Sequence, residues 1–214
     1  MKINQLKKLS KQILFVGIIT FITSFLLLYK TPSFYIHYLS VYSFFFSLSI
    51  GACFIILLQS LMRAGWIVVV KRIPEHLMSL LPLFALFFIP ILFGVDHIFE
   101  WLDPDHIAHD ILIQKKQAYL NLPFFIIRNI IYFGIWSYIS HFYWKASIDQ
   151  DNAVTTEQQH EFTRKQQRKA PVAIFLLSIT ASFASFDWIM SLFPHWFSTI
   201  FGIYYFAGAM VFLF

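Results

Sequence analysis

The chain predicts an all-α integral membrane protein, a polytopic helical bundle of about six transmembrane helices forming a single membrane domain over residues 1–214. Three observations carry this reading. Of the residues, 58% are hydrophobic and only 13% charged, where a soluble domain carries about 25% charge. The apolar residues gather into runs near the ~20 residues that a helix needs to cross a bilayer. The basic residues lie beside alternate runs, so the net charge of +5 points to topological anchoring and not to nucleic acid. The single cysteine, Cys53, sits in an apolar run and leaves no disulfide framework or all-cysteine iron–sulfur or zinc site within the chain. No Cys-x-x-Cys-His occurs, which excludes covalent c-type haem.

The first expected span is Ile13–Tyr29. Lysines at 2, 7, 8 and 11 precede it, as in a signal peptide, but no small-x-small cleavage site follows Tyr29, so the span is expected to stay uncleaved. The second is Leu39–Leu61. In the connection that follows, Trp66 and the Lys71/Arg72 pair suit a headgroup-level segment, and Ile67–Val70 suit the acyl boundary. Glu75 comes after Pro74 at the start of the third span, Leu77–Val95, where the helix dipole favours a carboxylate. It reads either as a helix-capping residue or as the cytoplasmic mouth of a proton path.

The connection Asp96–Asn121 carries Asp96-His97-Ile-Phe-Glu100 and His106-Ile-Ala-His109-Asp110. On a helix His97 and Glu100 share a face, as do His106, His109 and Asp110. Such spacing can bind zinc or non-haem iron, yet one cluster is too few for a membrane di-iron enzyme, and no metal is assigned. A polar lid and a quinone- or proton-related role stay open for His97 and Glu100. The fourth, fifth and sixth spans are Leu122–Trp144, Pro171–Leu192 and Phe197–Phe214. Between the fourth and fifth, residues 146–170 read as a solvated cytoplasmic polar loop, part helical from Thr155, where Thr-Thr-Glu-Gln offers a helix start. The last span ends on Val211-Phe-Leu-Phe214 without a polar exit, so the chain is expected to be the front part of a longer subunit.

Twelve Lys and Arg flank one side of these spans and three the other. The N-terminus and the second and fourth connections are therefore expected in the cytoplasm of a bacterial cell, with the protein in its inner membrane. The most informative residue is Asp187, because an ionised carboxylate at membrane depth costs about 2.5–3.5 kcal/mol. Such a group is tolerated beside a wet cavity, a partner charge or a proton path. Arg128 in span four enters from the same side, so an Arg128–Asp187 charge pair is expected, structural or functional. His195 follows Asp187 near the same end, making Glu75, Asp187 and His195 the proton-transfer candidates. Ser178, Ser182 and Ser185 share a face of span five, which more often means close helix packing than a proton wire. No residue is assigned a catalytic role.

Several stretches together resemble a known family. They are Arg63-Ala-Gly-Trp66 with Arg72-Ile-Pro-Glu75, Lys116-Gln-Ala-Tyr-Leu-Asn121-Leu-Pro-Phe-Phe125 with Arg128, and Ser182-Phe-Ala-Ser-Phe-Asp187-Trp-Ile-Met-Ser191 followed by Pro194-His-Trp-Phe-Ser-Thr-Ile-Phe-Gly202. The pattern resembles ActF, the second NrfD/PsrC-like, quinone-binding-type membrane subunit of alternative complex III, the bacterial quinol:cytochrome c oxidoreductase. The resemblance runs from about Val41 onward and is most specific over Asp187–Gly202. It implies a first four-helix bundle plus the start of a second, no redox cofactor bound by this chain, and quinone or quinol as the candidate ligand. The implied partners are an NrfD-like sister subunit, an iron–sulfur subunit, multihaem and monohaem cytochrome c subunits, and the lipid bilayer. Phe193 stands where the resemblance leads one to expect an acidic residue before Pro194-His195. The expected function is support of quinone binding or proton transfer in quinol oxidation, as a subunit without activity alone. A proton-coupled transporter is the alternative, since a membrane Asp, Arg and His set would also serve substrate coupling.

Overall fold

The structure, a computed structural model, describes residues 3–65 and 70–211. Helix α1 spans Ile3–Leu28 and α2 spans Pro32–Met62. The next membrane-length segment, Arg72–Phe93, is divided into α3 (Arg72–Ser79), α4 (Leu81–Phe87) and α5 (Ile89–Phe93). Short helices α6 (Val95–Ile98), α7 (Pro104–His109) and α8 (Ile111–Lys116) lead into α9 (Leu122–Asp151). Helix α10 runs Thr156–Trp188, and α11 runs Phe201–Val211. Among the described residues, five helical segments are long and apolar enough to cross a membrane, the pattern of a multi-pass membrane protein. No strand occurs among the described residues.

Proline decides where the third of these segments breaks. Pro82 has no N–H to offer the Met78 carbonyl four residues back, and the Ser140 hydroxyl of α9 donates to that carbonyl at 2.8 Å instead. Around Pro90, the hydroxyls of Tyr38 and Tyr42 reach from α2 to the carbonyls of Phe87 (2.7 Å) and Phe84 (3.1 Å). Hydroxyls of neighbouring helices thus meet backbone acceptors at both breaks, which eases an irregular helix at membrane depth. Pro171 lies inside α10, and in the turn before it the Tyr143 hydroxyl donates to the Gln166 carbonyl at 2.8 Å.

Helices α2, α9, α10 and the α3–α5 segment form an up-and-down bundle, each packed on two neighbours. Its core is aromatic: Phe46, Phe88, Trp136 and Trp188 are buried with ring centroids 4.9–5.9 Å apart. The polar ends of the two tryptophans are satisfied, Trp136 by Thr180 (2.8 Å) and Trp188 by Asn129 (2.7 Å), as buried indoles require. Helix α11 lies against α2 and α10 at small residues. A Cβ on Gly51 would stand 2.1 Å from the Ala209 carbonyl oxygen, and one on Gly202 would stand 2.8 Å from the Ser182 Cβ. Helix α1 touches the bundle through Phe21, which meets Tyr38 and Phe87.

Of the sixth span, expected over Phe197–Phe214, an apolar helix of 11 residues is described, and Phe212–Phe214 lie outside the described residues. Two other expectations change. The polar stretch 146–170 is mostly helical. Helix α9 continues to Asp151, and α10 begins at Thr156 behind the Thr155 cap, which accepts from Gln158 N–H while the Gln158 side chain returns to the Thr155 N–H. This reciprocal capping box starts the helix about four turns before the apolar part. Finally, His97 and Glu100 do not share a helix face. Phe99 is extended (φ −112°, ψ 112°) and separates α6 from a 3-10 turn at Glu100–Leu102. Of the expected interfacial segment, Trp66–Val69 lie outside the described residues.

Candidate functional site

Asp187 is fully buried near the end of α10, and its carboxylate is met by three donors. Arg128 of α9 binds it in a two-pronged contact, Nε to Oδ2 and Nη2 to Oδ1, both at 2.9 Å. The Tyr132 hydroxyl donates to Oδ2 at 2.9 Å. The third guanidinium nitrogen, Nη1, donates to the Tyr119 carbonyl at 2.9 Å. The planar fork of arginine matches a carboxylate in this way, and charge-assisted bonds of this kind are about twice as strong as neutral ones. The guanidinium is flanked by the rings of Tyr119 (3.9 Å) and Phe124 (4.4 Å), which stabilise a desolvated cation. The fork and the Tyr132 bond together tie α9 to α10.

Beside the pair lies a cavity of about 360 Å³, lined by Lys116, Tyr119, Phe186, Met190, Trp196 and Phe197 among others. The wall is chiefly apolar and aromatic. Tyr119 forms part of that wall, and its buried hydroxyl lies beside Asp187 and Tyr132 without strict hydrogen-bond geometry to either. A buried hydroxyl without a well-formed bond is a place where a ligand or water can complete the bonding. Lys116 Nζ donates to the Pro194 carbonyl at 2.5 Å and ties the floor of this cavity to the turn after α10.

His195 stands on that turn, exposed. Its Nε2 contacts Asp110 Oδ2 at 2.6 Å, so it pairs with α8 and not with Asp187. Asp110 also caps α8 by accepting from Leu112 and Ile113 N–H. Partial desolvation alone would raise the Asp110 carboxyl, but the two backbone N–H groups and His195 outweigh it and hold the group below the usual carboxylate range. His106 lies 3.9 Å from Asp103, His109 Nδ1 meets the Asp105 carbonyl, and His97 stacks on Tyr35. Among the described residues no three His, Cys, Asp or Glu side chains converge as a metal site.

Glu75 lies at the opposite end of the bundle, 1% exposed, between Lys71 (3.2 Å) and Arg72 (3.0 Å). Arg72 reaches on to Ser147 (3.1 Å) and Asp151 of α9. A polar cavity of about 530 Å³ opens here, lined by Gln59, Arg63, Arg72, Gln150, Thr163 and Gln166 among others. The structure thus joins Arg128 to Asp187 and leaves Glu75 and His195 in separate clusters. The serine line of α10 forms no wire: Ser182 donates to the Ser178 carbonyl, Ser185 to that of Ser182 and Thr180 to that of Leu176.

Sequence reasoning missed the roles of Tyr119, Tyr132 and Lys116 and the pairing of Asp110 with His195. Tyr132 stands four residues after Arg128 on the same helix face, a spacing that could have flagged it. The others carry no local signal, because each reaches the site through a tertiary contact. Neither a comparison with protein-family models nor one with curated proteins returns a match for this chain.

Proposed function

We propose that this chain is a membrane subunit of a quinol-oxidising respiratory assembly of the alternative complex III type, and that it contributes a quinone-binding wall without a redox cofactor of its own. The observation that carries this reading is the aromatic cavity beside the buried Arg128–Asp187 pair, with Tyr119 between the two and its hydroxyl in no well-formed hydrogen bond. Ligand pockets of this kind are chiefly apolar, with a few placed polar groups. A quinone head group is flat, apolar on its faces and polar only at its ring oxygens. Phe186, Trp196 and Phe197 offer the faces, while Tyr119 and Lys116 offer hydrogen bonds to the oxygens. Oxidation of quinol to quinone releases two electrons and two protons. Iron–sulfur and haem centres of partner subunits would supply the electron acceptor, and Tyr119 and the exposed His195–Asp110 pair would lie on the way out for the protons.

In this scheme Arg128 and Asp187 are positioning residues: their contact places Tyr119 through its ring and its carbonyl. The test is purification of the tagged chain from its native membrane, followed by quinol:cytochrome c turnover. Haem- and iron–sulfur-containing partners should copurify. Tyr119→Phe should raise the quinol KM severalfold while leaving haem content unchanged. A chain that purifies alone, or a Tyr119→Phe assembly with unaltered KM and kcat, would refute the proposal. The polar cavity beside Arg72 favours a second reading, a proton-coupled transporter, which predicts a chain that purifies alone and moves a solute in vesicles.

A further inference from the structure

The seam between α9 and α10 holds a groove that neither the Asp187 site nor the Glu75 cluster uses. It encloses about 420 Å³ and is lined below by Gly134, Ile135, Ile139, Val172 and Leu176, all without charge. Arg168 and Lys169 stand at its rim. Both precede the apolar part of α10, which begins at Ala170, and so lie at the boundary between water and hydrocarbon. The contacts of Lys169 Nζ are neutral: the Tyr138 hydroxyl at 2.9 Å and the Phe142 ring at 4.0 Å. Arg168 forms no ion pair among the described residues. The carboxylates in the polar part of this helix, Glu157 and Glu161, are bound to Arg164 and Lys165 nearer its start, and Asp187 at its far end is bound to Arg128. Gly134 keeps the groove open, since a Cβ there would meet nothing within 4 Å.

Two cations without counter-charge above an uncharged groove call for a ligand that is anionic at one end and apolar along its length. We propose that this groove is a selective site for one anionic phospholipid, its phosphate held by Lys169, Arg168 and the Tyr138 hydroxyl and one acyl chain lying along Gly134 and Leu176. A quinone brings no charge to neutralise the rim, and a free phosphate leaves the groove unfilled. Each basic residue near a membrane surface favours an anionic lipid by about 1 kcal/mol, so the pair gives about thirty-fold preference over a zwitterionic lipid at 1.4 kcal/mol per tenfold.

The full chain, with any subunits that copurify, is extracted in mild detergent and offered equal phosphatidylglycerol and phosphatidylcholine, and the retained lipid is read by native mass spectrometry. One phosphatidylglycerol per chain should be kept in preference to phosphatidylcholine. Arg168→Gln with Lys169→Gln should abolish the preference. Gly134→Leu should reduce retention of both lipids with an unchanged thermal unfolding midpoint. Equal retention of the two lipids by the unaltered chain, or a preference that survives the double substitution, overturns the proposal. Displacement of the bound lipid by inorganic phosphate alone or by a quinone overturns it as well.

Discussion

Replacing Asp187 with Leu removes the anion from a contact in which the carboxylate is fully buried and the Arg128 side chain is 7% exposed. The change deletes the two guanidinium bonds and the Tyr132 bond, each 2.9 Å long. What remains for Arg128 is the Tyr119 carbonyl and the two flanking rings. Stranding one partner of a buried pair costs about 3–5 kcal/mol. The cation keeps these contacts, so Asp187→Leu should fall in the lower part of that range. Arg128→Met alone should cost a similar amount, because it strands the carboxylate with only Tyr132. The double replacement removes both charges and leaves an apolar contact of similar volume. It should lie within about 1–2 kcal/mol of the unaltered protein, since well-packed apolar residues replace buried ion pairs at little cost. Reversible unfolding in mixed micelles, followed by tryptophan fluorescence, gives the four corners of the cycle. A single-variant cost below about 1 kcal/mol, or a double variant as unstable as the two singles summed, would refute the assignment of this pair as the tie between α9 and α10.

Three further outcomes follow from the fold and the outer turn. Ser140→Ala should cost about 1–3 kcal/mol by leaving the buried Met78 carbonyl unmet. In a Pro82→Ala background, where an N–H returns to that carbonyl, the cost measured by the same unfolding assay should largely vanish. Gly51→Ala should separate α11 from α2, because its Cβ would sit 2.1 Å from the Ala209 oxygen. Crosslinking between cysteines placed at Phe54 and Phe206, which are 4.9 Å apart by ring centroid, should drop in that variant and not in Gly134→Ala. A carboxyl held low in the folded state contributes stability above its unfolded pKa of about 3.9 and loses it as pH falls through the lower folded value. A spin label at exposed Phe193 should therefore be restrained at neutral pH and gain mobility only in strong acid. Asp110→Asn should be mobile at both, and a label indifferent to pH and to this substitution would exclude the His195–Asp110 tie.

Much of the architecture was legible because membrane burial is written in local sequence. Long apolar runs bounded by lysines and the Thr155 cap each act within a few turns of their own residue, so composition and spacing reveal them; the breaks at Pro82 and Pro90 inside the third run were not read from it. The rarity of charge at membrane depth likewise marked Asp187 and Arg128 before any contact was visible. Other features belong to the tertiary structure alone. His195 turned to Asp110 because the loop after α10 folds back on α8, a contact spanning 85 residues of chain that no periodicity encodes. Tyr119 gained its place beside Arg128 by a bend in a connection, and its hydroxyl meets Asp187 of α10 only through the packing of distant helices. The hydroxyls of α10 bonded to their own helix, since at membrane depth a carbonyl three or four residues back is always in reach and a distant relay partner is not. Local sequence determined which residues enter the membrane and which charges need a partner. Only the packing of distant helices decided which partner each one found.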